Sequence, residues 1–235
     1  MAMTNDHDTH NEKKIVTQEN GPYRVYGDIP LVRKTQVVSE HGEPLTWRKE
    51  RAIKATGTYD LCRCGQSGDK PFCDMTHLDV DFDGTETADT RQTAERQVTY
   101  EGGVNIVVKR DHSLCSESGF CANRITSIEK MVPHTDDTLV RAQVMAMVER
   151  CPSGSFIYSI QEGGDEIEPD LPQQIAVTTE ITSDGPIAGP LWVTGNIPIE
   201  RADGKPLEMR NRVTLCCCGL SKNKPLCDGA HRTAV

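Results

Sequence analysis

The chain has 235 residues, a formal net charge of −9 and ten cysteines. That length suits one large domain or two to three small ones, and the acidic balance argues against the broad basic surface that neutralises nucleic-acid phosphates or docks on anionic lipid. The longest apolar stretches, such as Val104 to Val108 and Ile175 to Val177, fall far short of a membrane span, so a soluble protein with no nucleic-acid or membrane partner is expected.

In chain order, residues 1–14 are polar and lack the apolar core of a signal peptide. They are expected to be disordered, and the chain cytoplasmic. Residues 15–90 read as a first unit: a short strand from Tyr23, a turn, a second strand ending at Cys62, a loop through Pro71, and a helix starting near Cys73-Asp74 with Asp74 as its N-cap. The acidic run Asp79 to Asp89 reads as a solvated linker. Residues 99–181 form a distinct central segment, with a strand over Asn105 to Val108, a helix over Asp137 to Arg150, a strand over Ser155 to Ile160, and a second polar linker from Glu162 to Asp170. Residues 185–235 then repeat the first unit, with Asp228 in the capping position.

The repeat is the most informative feature. Leu61-Cys62-Arg63-Cys64-Gly65-Gln66-Ser67 through Lys70-Pro71-Phe72-Cys73-Asp74 to His77 is matched by Leu215-Cys216-Cys217-Cys218-Gly219-Leu220-Ser221 through Lys224-Pro225-Leu226-Cys227-Asp228 to His231. Upstream, Gly21-Pro22-Tyr23 to Leu31 is echoed by Gly189-Pro190-Leu191 to Ile199. Self-similarity of this length marks a duplicated structural unit. A copy of roughly forty to sixty residues struggles to bury a core alone, so the copies are expected to pack about a pseudo-two-fold axis within one monomeric chain; two independent beads are the alternative.

Ten cysteines without an export signal point to metal or redox work rather than disulfides. On an extended segment, residues two apart point the same way, so Cys62 with Cys64, and Cys216 with Cys218, can reach one iron while Arg63 and Cys217 point away. The third cysteine and the histidine four residues later share one helical face and can take a second iron. Thiolates suit iron–sulfur clusters, and imidazole replaces thiolate on one iron of Rieske centres. Zinc is the chemical rival, since three cysteines and a histidine also make a closed structural site. Ser67 and Ser221 can hydrogen-bond to sulfur or merely stabilise the turn.

These residues resemble the CDGSH iron–sulfur family, whose members include mitoNEET. The second copy carries the full ending Cys227-Asp228-Gly229-Ala230-His231, whereas the first has Met75 in place of the family's glycine. The resemblance implies an α+β, β-rich fold in which two mitoNEET-like units form an intramolecular pseudo-dimer. It also implies two 2Fe-2S clusters, one held by Cys62, Cys64, Cys73 and His77 and the other by Cys216, Cys218, Cys227 and His231. The central segment, with Cys115, Cys121 and Cys151-Pro152, looks like the divergent single-cluster ferredoxin domain often fused to CDGSH motifs, and so a small α/β insert. Three cysteines leave two readings open, a third iron–sulfur cluster completed by His112 or Glu117 (or one with three irons), or a degenerate domain with free thiols, which is preferred. His7, His10, His41 and His134 read as surface residues.

The expected function is electron transfer, or cluster transfer and redox sensing, with a redox partner or apo-acceptor protein. No nucleotide-binding glycine motif, nucleophile elbow or metalloprotease helix is present in the sequence, so an enzyme is not expected. The alternative is a zinc-stabilised structural or interaction module.

Overall fold

The computed structural model describes residues 12–233. Most of the expected disordered N-terminus, with His7 and His10, lies outside them, and Lys14 at its end already opens a strand. The strands are β1 (Lys14–Thr17), β2 (Tyr23–Tyr26), β3 (Leu31–Val38), β4 (Pro44–Ile53), β5 (Tyr59–Leu61), β6 (Val98–Tyr100), β7 (Val107–Arg110), β8 (Phe156–Ser159), β9 (Gln174–Thr182), β10 (Gly185–Thr194), β11 (Ile199–Glu200) and β12 (Arg212–Leu215). The longest helix, Thr138–Arg150, is capped by Asp137, whose carboxylate accepts from the Leu139 amide at 2.7 Å. The fold is therefore α+β and β-rich.

Three sheets result, in the orders β11-β1-β2-β5, β12-β10-β9-β3-β4 and β6-β7-β8. The first two take strands from both sequence repeats, and their registers correspond. Tyr23 pairs with Leu61 in one and Leu191 with Leu215 in the other; Ile15 pairs with Val25, as Ile175 does with Val193. Each sheet then receives a parallel strand from the opposite repeat: β11 joins β1 through Ile199 and Ile15, while β3 joins β9 through Leu31 and Ile175. The Ile15 amide donates to Pro198 O and the Ile175 amide to Pro30 O, both at 2.9 Å. β9, counted with the central segment in the sequence reading, is thus part of the second unit's sheet.

This exchange gives the two repeats a common core. Ile15, Tyr23, Val25, Leu31 and Leu61 pack in one cluster with Ile175, Leu191, Val193, Leu215 and Leu226, and burying each such side chain contributes about 1.5–3 kcal/mol. The central segment has a separate core, in which Val144, Met147 and Val148 of the long helix meet Val108, Phe156 and Tyr158 of the small sheet.

Three expectations need correcting. The helices after Cys73 and Cys227 are single 3-10 turns, Thr76–Leu78 and Ala230–Arg232, because Met75 and Gly229 adopt left-handed backbone at φ 72° and 89°; that conformation cannot continue from the cysteine into an α-helix. Asp74 and Asp228 still clamp their loops, accepting from the Thr76 and Ala230 amides at 3.0 and 3.1 Å and from the Gly68 and Lys222 amides at 2.8 and 2.7 Å. The run 79–89 is a strap rather than a solvated linker. Glu86 is buried and accepts from the Ala202 amide at 2.7 Å, and the Thr87 and Ala88 amides donate to Lys224 O. Of its carboxylates only Glu86 is taken up by the second unit, while Asp79, Asp81 and Asp83 stay exposed, and the strap is held mainly through its backbone, which composition does not reveal. The polar segment 162–170 is likewise tied down, through Glu168 and buried Arg212 at 2.8 Å.

Candidate metal centres

Each centre is built where a strand ends on its first cysteine. The Cys62 amide donates to Pro71 O at 2.8 Å and the Cys73 amide to Asp60 O at 2.9 Å; the Cys216 amide donates to Pro225 O and the Cys227 amide to Thr214 O, both at 2.9 Å. These bonds fold the loop back, so the third cysteine returns beside the first pair. Both loops turn through a cis proline peptide, at Pro71 and Pro225. Ser67 and Ser221 stabilise the turn, donating to Phe72 O and Leu226 O at 2.7 Å and accepting from the Asp69 and Asn223 amides at 3.0 Å.

The donors meet in pairs. Cys62 and Cys64 Sγ stand 3.8 Å apart and Cys216 and Cys218 Sγ 3.7 Å. Cys73 Sγ is 3.4 Å from His77 Nδ1, and Cys227 Sγ 3.4 Å from His231 Nδ1. Two ligands of one tetrahedral metal, at about 2.3 Å for sulfur and 2.0–2.1 Å for nitrogen, lie about 3.5–3.8 Å apart, so every pair fits one metal. Among the described residues no group of three or more His, Cys, Asp and Glu side chains is arranged to hold a single ion. Paired donors suit a group that spans two metals and carries its own bridging atoms.

Backbone amides of Gln66 and Met75 point at Cys64 and Cys73 Sγ at 3.4 Å, and that of Gly229 at Cys227 Sγ at 3.5 Å. Such donors favour the thiolate, against burial, which pushes Cys64, Cys73 and Cys227 up. The hydrogen bond between Cys216 and Cys218 drives the two apart, holding Cys216 down at about 6 and pushing Cys218 up. Cluster loading must displace the remaining protons.

The residues between the paired cysteines point away, as expected. Arg63 is buried, donating to Gln18 O at 3.1 Å and Gly84 O at 2.6 Å. Cys217 Sγ faces Gly189 O at 3.2 Å, and burial pushes its thiol up to about 12.

The two loops abut backbone to backbone. A Cβ on Gly65 would come within 2.5 Å of Cys218 O, and one on Gly219 within 2.5 Å of Cys64 O. Tyr23 OH donates across the units to Cys216 O at 2.8 Å. A cavity of about 630 Å³ opens between them, reached by Cys62, Cys218 and His231 and flanked by Arg33 and Lys70.

Residues 20–78 and 188–232 match the iron-binding zinc finger CDGSH type, and residues 100–161 match the divergent 4Fe-4S mono-cluster family. Together they are the matches of a tandem CDGSH protein with a central ferredoxin-like segment. Both matches indicate iron–sulfur binding. No curated protein and no solved structure matches the chain.

In the central segment Cys115 and Cys151 lie near enough to Cys121 to bear on its charge. Burial, then the neighbouring Cys151 and Cys115, pushes the Cys121 thiol up to about 11. With the mono-cluster match, this favours the cluster reading that the sequence ranked second. Neither suggested fourth ligand is drawn in: Glu117 lies against Gly229 of the second CDGSH loop, and His112 is exposed. Closer are Arg110, its Nη2 3.8 Å from Cys115 Sγ, and Ser153, its Oγ 3.4 Å from Cys151 Sγ.

The sequence reading missed what stands behind His231. Its Nε2 lies 3.2 Å from Oε2 of fully buried Glu180 on β9, and that oxygen also accepts from Arg232. The available signal was strand alternation, which puts Glu180 in phase with buried Ala176 and Thr178. His41 and His134 are exposed, as expected.

Proposed function

We propose that the chain holds two 2Fe-2S clusters, one on Cys62, Cys64, Cys73 and His77 and the other on Cys216, Cys218, Cys227 and His231, and serves in electron transfer or cluster transfer. The observation that carries this reading is the pairing of donors at metal-ligand separation, twice, on a repeated loop. A bound cluster supplies one-electron redox chemistry at a potential set by its ligands, hydrogen bonds and exposure. The protein's part is to aim the ligands, direct the Gln66, Met75 and Gly229 amides at ligand sulfur, and cover the second centre more deeply than the first. A zinc module is less well supported, since a closed zinc site needs four donors around one ion and these meet in twos.

The corresponding registers and exchanged strands support an intramolecular pseudo-dimer, and hence a monomer acting alone. The mono-cluster match over residues 100–161, which contain Cys115, Cys121 and Cys151, supports a third cluster in the central segment. No substrate turnover is proposed. Among the described residues no helix is long and apolar enough to cross a membrane, and the acidic charge suits a protein partner, either a redox protein or an apo-acceptor, in a reducing cytoplasm.

The test is a visible spectrum of anaerobically purified protein with iron, acid-labile sulfide and zinc analysis. A red-brown protein with about four irons and four sulfides per chain is expected from the CDGSH centres, with an excess if the central site is loaded. Colourless protein with about two zincs, not converted by iron and sulfide, overturns the proposal.

A further inference from the structure

We infer that Glu180 is a positioning residue for the second centre, holding the His231 ring so that Nδ1 faces the ligand set, and that this contact makes the two centres unequal in potential and in cluster retention. The inference rests on the reading of His231 as a ligand.

A carboxylate only accepts, so the 3.2 Å contact between Glu180 Oε2 and His231 Nε2 requires the ring hydrogen on Nε2. The free lone pair then sits on Nδ1, the nitrogen beside Cys227 Sγ. Arg232, the next residue on the same 3-10 turn, donates to the same carboxylate oxygen, so the buried charge is paired and the turn is gripped at two consecutive side chains. Glu180 itself projects from β9, which lies between β10 and β3, so the grip is anchored in the interior of a sheet. A carboxylate behind a ligand histidine fixes the ring's orientation and raises its basicity.

The first centre has neither half of this grip. The register that matches Ile15 with Ile175 puts Asn20 in the place of Glu180, but β1 ends at Thr17. Asn20 takes a left-handed conformation at φ 45° and uses its Oδ1 on the Gly84 amide at 2.9 Å. Exposed Leu78 follows His77 where Arg232 follows His231. His77 Nε2 instead faces Gly21, 3.7 Å from where a Cβ would stand, and among the described residues His77 has no ion pair with a carboxylate. A more basic imidazole stabilises the oxidised cluster, so the second centre has the lower potential and holds its cluster longer.

The experiment compares full-length, cluster-loaded parent, Glu180→Gln and Arg232→Gln by redox titration under EPR, by pulsed EPR of the coordinated nitrogen, and by release of iron to a chelator. Glu180→Gln is expected to raise the potential of one centre, change one set of nitrogen couplings and speed release from that centre roughly 10–100-fold, leaving the other centre as an internal control. Arg232→Gln removes the opposite charge and is expected to shift the same potential downward, a sign that loss of packing does not produce. Potentials and release rates equal to the parent's in Glu180→Gln overturn the inference, as do shifts of the same sign in both variants or equal shifts at both centres. Parent protein that carries no iron and sulfide fails the underlying reading instead. A Glu180→Gln protein that folds and loads only the first centre supports the inference in its strongest form.

Discussion

At the first centre His77 is half-buried beside Gly21, while at the second His231 is buried against Glu180 and Arg232. The cysteine and histidine spacing is identical, the backbone bonds of the four cysteine amides that fold the loops correspond, and both loops lie on the same shared core. The surroundings, by contrast, have diverged: Met75 against Gly229, Arg63 against Cys217, Leu78 against Arg232. In both loops the cysteine and histidine spacing is the same while the residues around it differ, and such outer contacts tune the potential and lability of a bound cluster.

The sharpest break of this comparison is loss of a ligand. Cys73→Ser and Cys227→Ser are each expected to remove one centre and about half of the CDGSH iron and sulfide. Cys227→Ser is expected to lower Tm further as well, because Cys227 is buried next to Leu226 of the common core. Equal Tm losses would mean that both centres support the fold alike.

The loop glycine supplies a reciprocal pair. Met75→Gly is expected to stabilise the first loop by about 1–2 kcal/mol, the cost of a left-handed residue with a Cβ. Gly229→Met is expected to cost more than that, since a Cβ there would stand 2.7 Å from Glu117 Cγ as well as in left-handed backbone. Denaturant unfolding of the two variants reads both effects.

Replacing each histidine tests its share in acid lability. A proton competing for the ligating nitrogen loosens the cluster, so His77→Cys and His231→Cys are each expected to slow bleaching of the visible spectrum at mildly acidic pH, and only at the altered centre. Bleaching at the parental rate would remove histidine from the account.

The smallest effect lies on the five-stranded sheet. Lys34 is buried with its Nζ 3.8 Å from the Trp192 ring centroid, and burial, then Lys49, lowers it from 10.5 to about 8. Its counterpart by register is Ala202 at the other sheet. Between pH 8 and 10.5 the folded state binds fewer protons at Lys34 than the unfolded state does, so this residue makes stability rise with pH across that window. Tryptophan fluorescence is expected to titrate with a midpoint near pH 8 and to lose that step in Lys34→Met.

Much of this was legible from local pattern. The strand over Phe156–Ser159 and the helix over Thr138–Arg150 fall within or close to their sequence-read bounds, because a short apolar run and an Asp cap act over a few residues. The strand expected at Asn105 to Val108 runs instead over Val107–Arg110, since Gly102 and Asn105 turn the chain at positive φ before it. The strap 79–89 was misread because its acidic composition conceals backbone bonds to Lys224 and Arg201.

The sequence by itself determined the spacing of cysteine and histidine in both loops, the internal duplication and the third group of cysteines, because such patterns are written in consecutive residues. Tertiary structure alone decided which strands are exchanged between the repeats, that the repeats share one core, and that Glu180 stands behind His231 while Asn20 is taken up by the Gly84 amide. Those outcomes depend on pairing between strands more than a hundred residues apart, such as Leu31 with Ile175. Register over that distance is selected by how whole faces fit together, and no local spacing records it.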